Sequence, residues 1–159
     1  MRANYLPMDL ARWDQTTADA AAVFVFEDEL PPRGPTGLCD WRLAGQISRL
    51  LLSGKLEGKV GERLLMPFAG RLPWQCLLLI GAGSVHGFSE DVFRTCLRDA
   101  MTALERLKAQ RVVVGLPERA RLGGRKPMDV FRKEASHFEA DVWVVDESAP
   151  KSAEIGQIG

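Results

Sequence analysis

The run Cys76-Leu77-Leu78-Leu79-Ile80, followed by Gly81-Ala82-Gly83-Ser84-Val85-His86-Gly87-Phe88, decides how the rest of the chain is read. A short apolar run bounded by glycine reads as a buried strand. Glycines permit a tight turn and close backbone approach. A helix is predicted to open at Ser89, with Glu90 and Asp91 in its first turn, where acidic groups suit the helix dipole. Strand, glycine turn and helix in that order can hold an anion on backbone N–H groups. The same order also serves as a plain connection, and a glycine pattern without further context does not separate the two.

Outward from this unit, the same alternation continues. Upstream, Leu6, Met8 and Leu10 alternate as a half-buried strand would, and Ala20–Phe26 is a second apolar strand, ended by Glu27-Asp28-Glu29 and Pro31-Pro32. Arg33-Gly34-Pro35-Thr36-Gly37 reads as a loop. Asp40 is placed to cap a helix over 41–53, whose residues Leu43, Ile47, Leu50 and Leu51 recur at helical spacing and which Gly54 ends. Gly58–Gly61 reads as a turn, and residues 63–68 as a strand whose pairing Pro67 limits.

Downstream of the central unit, Val92, Phe93, Cys96, Leu97, Ala100, Met101, Leu104 and Leu107 give the helix after Ser89 a wide apolar face. Residues 111–116 form an apolar strand, 117–124 a loop, 127–138 a helix and 141–146 the last strand. The pattern specifies an α/β domain over residues 1–146, with a mixed, mostly parallel central sheet and helices on both faces. Residues 147–159 read as a loose tail.

Composition narrows the function classes. The 159 residues carry 46% hydrophobic and 26% charged side chains, an ordinary globular balance, and formal net charge is zero. Global charge gives no argument for nucleic acid or an anionic membrane. Residues 98–133 hold ten Lys and Arg against four acids, including Arg119, Arg121, Arg125 and Lys126. Without interleaved aromatics, a solvated or ion-paired face is the simpler reading. Cys39, Cys76 and Cys96 are too few and too dispersed for a disulfide framework, which places the chain in a reducing compartment, the cytoplasm. No apolar run approaches the roughly 20 residues of a membrane span. His86 and His137 stand alone and make neither a zinc site nor a triad. Glu27, Asp28 and Glu29 have no histidine or cysteine beside them and read as a solvated strand end. No cofactor, metal or catalytic residue is implied. Trp13, Trp41, Trp74 and Trp143 are expected in the core or at an interface.

Several stretches together resemble one family. These are Asp19-Ala20-Ala21-Ala22-Val23-Phe24-Val25-Phe26-Glu27-Asp28-Glu29, then Gly34, Gly37 and Asp40, then Gly54-Lys55-Leu56-Glu57-Gly58-Lys59-Val60-Gly61-Glu62, and Leu77-Leu78-Leu79-Ile80-Gly81-Ala82-Gly83 with the helix after it. Their order and spacing resemble the N-terminal domain of the leucyl (cytosol) aminopeptidases. The resemblance implies a three-layer macro-like α/β fold. In that family the two-metal chemistry belongs to a second domain, whose Asn-Thr-Asp-x-Glu-Gly-Arg signature is absent from this sequence. The resemblance therefore implies a non-catalytic role by protein association, as a homo-oligomer or with a partner protein. It implies a metal-dependent aminopeptidase should the chain be part of a longer one.

A fainter resemblance is to macro domains that bind ADP-ribose. It implies a phosphate-ligand site in which Asp19 holds the base and Gly81, Gly83, Ser84 and Gly87 cradle the diphosphate. Such a site requires Asp19 to lie across from the glycine turn, and Glu27, Asp28 and Glu29 to point away from it.

Overall fold

The computed structural model describes residues 1–117, 122–147 and the backbone of 157–158. Seven strands form one sheet in the order β3-β4-β2-β5-β6-β1-β7. They are β1 (Arg2–Tyr5), β2 (Ala18–Val25), β3 (Arg63–Pro67), β4 (Trp74–Gly81), β5 (Arg111–Gly115), β6 (Asp141–Val145) and β7 (Gln157–Ile158). β4, β2, β5, β6 and β1 run parallel to one another. β3 and β7 close the two edges antiparallel.

The central strands read as unbroken apolar runs because both of their faces are buried. Along β2, Ala20, Ala22 and Phe24 point to one layer and Ala21, Val23 and Val25 to the other. Leu78 and Ile80 alternate with Leu77 and Leu79 on β4 in the same way. One layer is covered by α4 (Glu90–Arg106) and α5 (Pro127–Glu134), which bury Phe93, Leu97, Leu104, Val130 and Phe131. The opposite layer is covered by α1 (Leu10–Trp13), α2 (Gly34–Arg42) and α3 (Gln46–Leu52). Its core is centred on Trp13 and Trp74, with ring centroids 5.1 Å apart. Each indole N–H donates to a backbone carbonyl, Trp13 to Pro7 and Trp74 to Thr16. The three-layer macro-like arrangement is thus the one expected.

Four local expectations are corrected. Leu6, Met8 and Leu10 are not one strand: β1 lies earlier, and Asp9 caps the short helix α1 by accepting from Ala11 N. The stretch 33–37 is not a loop but the start of α2, where a proline in the first turn costs no helical hydrogen bond. The helix over 41–53 is two helices, broken at Ala44 and Gly45, whose φ angles are 53° and 81°. Asp40 does cap, but from within α2. Its carboxylate accepts from Ile47 N and Ser48 N at the start of α3, where the N-cap residue is a glycine with no side chain to offer. Finally, the tail is not loose at Gln157 and Ile158, which pair with β1. Residues 148–156 and 159 of that expectation lie outside the described residues.

Candidate functional site

In parallel α/β sheets, ligands bind beyond the carboxyl ends of the strands. At that end β2 runs on into Phe26-Glu27-Asp28-Glu29, and β4 into Ala82-Gly83-Ser84. Several of the donors there are used by the chain itself. Gly81 N donates to Glu62 O, Ala82 N to Val25 O and Gly83 N to Gly58 O. Val85 N donates to the Asp28 carboxylate at 2.9 Å, and Gly87 N to Ser84 Oγ at 2.9 Å. The loop 54–62 lies across the strand ends, held by the Glu62 carboxylate on Glu57 N and Gly58 N.

The glycines follow from this packing. A Cβ on Gly81 would fall well inside van der Waals contact of the Lys59 carbonyl. Gly83 adopts φ +78°, a left-handed conformation that side chains disfavour. Of the predicted site residues, Gly81, Gly83, Ser84 and Gly87 therefore come together in one turn, with Asp28 bound to it.

Asp19 does not join them. It stands at the amino end of β2, six residues before Val25, the partner of Gly81, and so about 20 Å away at 3.3 Å per residue. There its Oδ2 accepts from Gln110 N at 2.8 Å and Arg111 N at 2.9 Å, fixing the start of β5. The two-part arrangement of Asp19 opposite the glycine turn is corrected on this geometry: a residue ahead of a parallel strand and a turn behind its neighbour lie at opposite ends of the sheet. Nor do all three acids point away. Asp28 occupies the turn, and Glu29 accepts from Arg33 N. A Cβ on Gly34, the first residue of α2, would meet the Glu147 carboxylate at 3.3 Å. The helix N-terminus nearest the crevice thus already faces an anion.

The cysteines and the basic stretch were the other features of the sequence. Cys39 and Cys96 are buried, and desolvation first, then the nearby Asp40 and Asp99 charges, push their thiols up, Cys96 to about 12. Burial likewise raises Cys76. Burial thus favours the neutral thiol at all three positions. Among the described residues, no group of three or more His, Cys, Asp or Glu is arranged to hold a metal ion. No described helix is long and apolar enough to cross a membrane. In the basic stretch, Arg125 pairs with Glu90 and Arg98 with Glu134, while Arg119 and Arg121 lie outside the described residues.

One feature was placed in the sequence only as core or interface. Trp13 and Trp74 are buried and Trp143 packs at the edge of the core, but Trp41 is 77% exposed. It lines an open apolar groove with Met8, Pro31, Pro32, Leu38 and Ala44, rimmed by Arg33. It lies near the end of α2, whereas the sequence pattern put it at the start of a helix over 41–53.

Comparison with known proteins gives the frame for these features. A probable cytosol aminopeptidase of Thermosynechococcus vestitus is 29% identical over 119 residues, covering 74% of this chain and 23% of that protein. One of Actinobacillus succinogenes is 29% identical over 137 residues, covering 86% and 26%. The chain thus spans about a quarter of the length of these relatives. Among solved structures, a tomato leucine aminopeptidase variant superposes with a TM-score of 0.67 at 14% identity, over 94% of this chain and 33% of that one. The macrodomain of Mycobacterium tuberculosis DarG superposes with a TM-score of 0.65 at 12% identity, over 90% and 96%. These two likenesses establish the fold. The model of the cytosol aminopeptidase family N-terminal domain matches residues 22–146, and to that family, in that domain, the chain belongs.

Proposed function

We propose that this domain works by association: it presents a surface to a protein, either a second copy or the catalytic part of a cytoplasmic aminopeptidase, and performs no chemistry itself. Where it is joined to the remainder of a metal-dependent aminopeptidase, the same face is the one offered to that catalytic part. The observation that carries this reading is Trp41, 77% exposed above a groove of prolines, methionine and leucine. An aromatic side chain left in water beside apolar neighbours marks a binding surface. Trp and Arg are also the residues that most often dominate binding energy at interfaces. The carboxyl-end crevice supports the same reading from the other side. Its glycine turn is tied to Asp28 and Ser84, and the Asp28 charge seated there repels a diphosphate.

Sedimentation velocity tests this, with the 159-residue chain run alone over a concentration series and mixed with the isolated catalytic domain of a cytosol aminopeptidase. A species heavier than the 17.6 kDa chain is expected in one of the two. It should be lost in Trp41→Ala, a surface change that costs the fold no more than about 0.5 kcal/mol. A chain that stays monomeric and leaves the catalytic domain's sedimentation unchanged overturns the proposal.

A further inference from the structure

The sheet has a second uncovered place, on the layer opposite Trp41. β3 is an edge strand, paired on one side only, with β4. Gly81 N donates to Glu62 O, which makes 62 and 81 a hydrogen-bonded pair of the antiparallel ladder. The register runs without interruption from Arg63 opposite Ile80 to Pro67 opposite Cys76. Antiparallel pairs alternate between bonded and non-bonded. Leu64 and Met66 therefore bond inward to β4. Arg63 and Leu65 turn both N–H and C=O outward, as Pro67 does its C=O.

Side chains alternate with the same period. Leu64 and Met66 pack into the Trp13 layer, while Arg63 and Leu65 lie on the α4 side. α4 does not reach far enough to cover them. A groove remains between strand and helix, lined by Arg63, Leu65, Leu78, Ala103, Arg106 and Leu107. Leu65 is 50% exposed and Leu107 41%.

Charge makes the groove selective. Neither the Arg63 nor the Arg106 guanidinium has a hydrogen-bond or ion-pair partner among the described residues. The nearest acids in sequence are engaged elsewhere or face away. Glu62 holds Glu57 N and Gly58 N, and Glu105 lines a separate cavity with His137 and Glu139. Two free cations thus flank a leucine-lined slot beside a row of unsatisfied backbone groups.

We propose that β3 and this groove bind an extended peptide segment that carries a leucine-sized apolar side chain flanked by carboxylates. The segment adds an eighth strand to the sheet. Its backbone bonds to Arg63 and Leu65, its apolar side chain enters the slot between Leu65 and Leu107, and its carboxylates meet Arg63 and Arg106. Strand addition of this kind takes affinity from main-chain bonds and specificity from alternate side-chain pockets. A second copy of this chain is the weaker occupant. It would bring two more unpaired guanidinium groups to the shared edge and no counter-charge, and like charges across an interface are repulsive. This surface is separate from the Trp41 groove and does not depend on it.

The test is fluorescence anisotropy with a labelled peptide, Glu-Val-Leu-Val-Asp-Thr-Glu, whose acids share one strand face with its leucine, titrated with the full chain. Saturable binding is expected with a Kd at or below about 100 μM. Replacing the peptide's three acids by lysine should weaken it about tenfold or more, and N-methylating alternate peptide amides should abolish it. Arg63→Glu and Arg106→Glu should each weaken binding about five- to tenfold, and Leu65→Lys more. Trp41→Ala should leave the affinity unchanged, which keeps failure here distinct from failure of the association proposed above. Absence of binding below 1 mM overturns the proposal, as does equal binding of the lysine peptide or of the N-methylated one. So does a dimer in sedimentation equilibrium that Leu65→Lys dissolves, since the edge is then closed by a second copy. Circular dichroism of each variant checks the fold. The Arg106→Glu change on α4 and the two altered peptides keep the test decisive even where Leu65→Lys does not fold.

Discussion

Two carboxylates mark the two ends of β2, and they differ in what they hold. At the amino end, Asp19 accepts two N–H groups, from Gln110 and Arg111, and so fixes where β5 enters the sheet beside β2. At the carboxyl end, Asp28 accepts one, from Val85, and fixes one loop against another. The first joins strands inside a continuous ladder, whereas the second closes a turn that glycines and loop 54–62 already shape. In the linear sequence the pair resembles the two halves of a ligand site. In the folded chain each is a separate internal fastening, and the strand between them keeps them about 20 Å apart.

The comparison breaks most severely at Gly81. A Cβ there cannot be accommodated against the Lys59 carbonyl without moving backbone, and close-packed interiors yield little to such strain. Gly81→Ala should cost about 3 kcal/mol or more. That lowers the thermal midpoint by about 6 °C or more, measured by calorimetry. A midpoint within about 2 °C of wild type would mean that loop 54–62 gives way freely, and that the carboxyl end is less tightly filled than the packing indicates. At the other end, Asp19→Ala removes the acceptor of two backbone N–H groups and should cost about 1–3 kcal/mol. Asp19→Asn keeps one acceptor oxygen and should lose less. Equal losses in the two variants would show that the negative charge, rather than the two bonds, does the fastening.

The sheet was legible for a physical reason. β2, β4, β5 and β6 are buried on both faces, so each appears as a continuous apolar run between polar stops. The helix after Ser89 was equally plain. Its cap accepts from Val92 N, its first turn is acidic and its apolar face is wide. The α2–α3 region was not legible. Leu43, Ile47, Leu50 and Leu51 keep helical period straight through the break at Ala44 and Gly45, so the periodicity hides it. Gly34-Pro35-Thr36-Gly37 has the composition of a loop, yet it is helical because tertiary packing overrides propensity. Pro35 packs on Gly115, and the Thr36 hydroxyl donates to Phe24 O. The misplaced boundary also moved Trp41, which lies near the end of α2 and not at the start of a helix over 41–53. The groove beside β3 was illegible for a different reason. Pro67 pointed to limited pairing, but which residues of an edge strand stay uncovered depends on how far α4 extends over the sheet.

The smallest change tests the carboxyl end most sharply. Asp28→Ala removes one hydrogen bond from an exposed carboxylate and should cost no more than about 1 kcal/mol, with the fold intact. What changes is local. Val85 N–H loses its acceptor, so its amide hydrogen exchange should quicken by about tenfold while amides within β2 and β4 stay as slow as in wild type. The same variant also separates two accounts of the glycine turn. If the turn is architecture, calorimetry with ADP-ribose or inorganic phosphate at millimolar concentration gives no heat in wild type. It gives none in Asp28→Ala either, because Gly81 N and Gly83 N remain bonded to Glu62 O and Gly58 O. If binding appears only when Asp28 is removed, the turn is an anion nest that the chain's own carboxylate keeps occupied. Binding in wild type at the same concentration would place the ligand site at the carboxyl end after all, built without Asp19, and the two ends of β2 would then differ in function and not only in fastening.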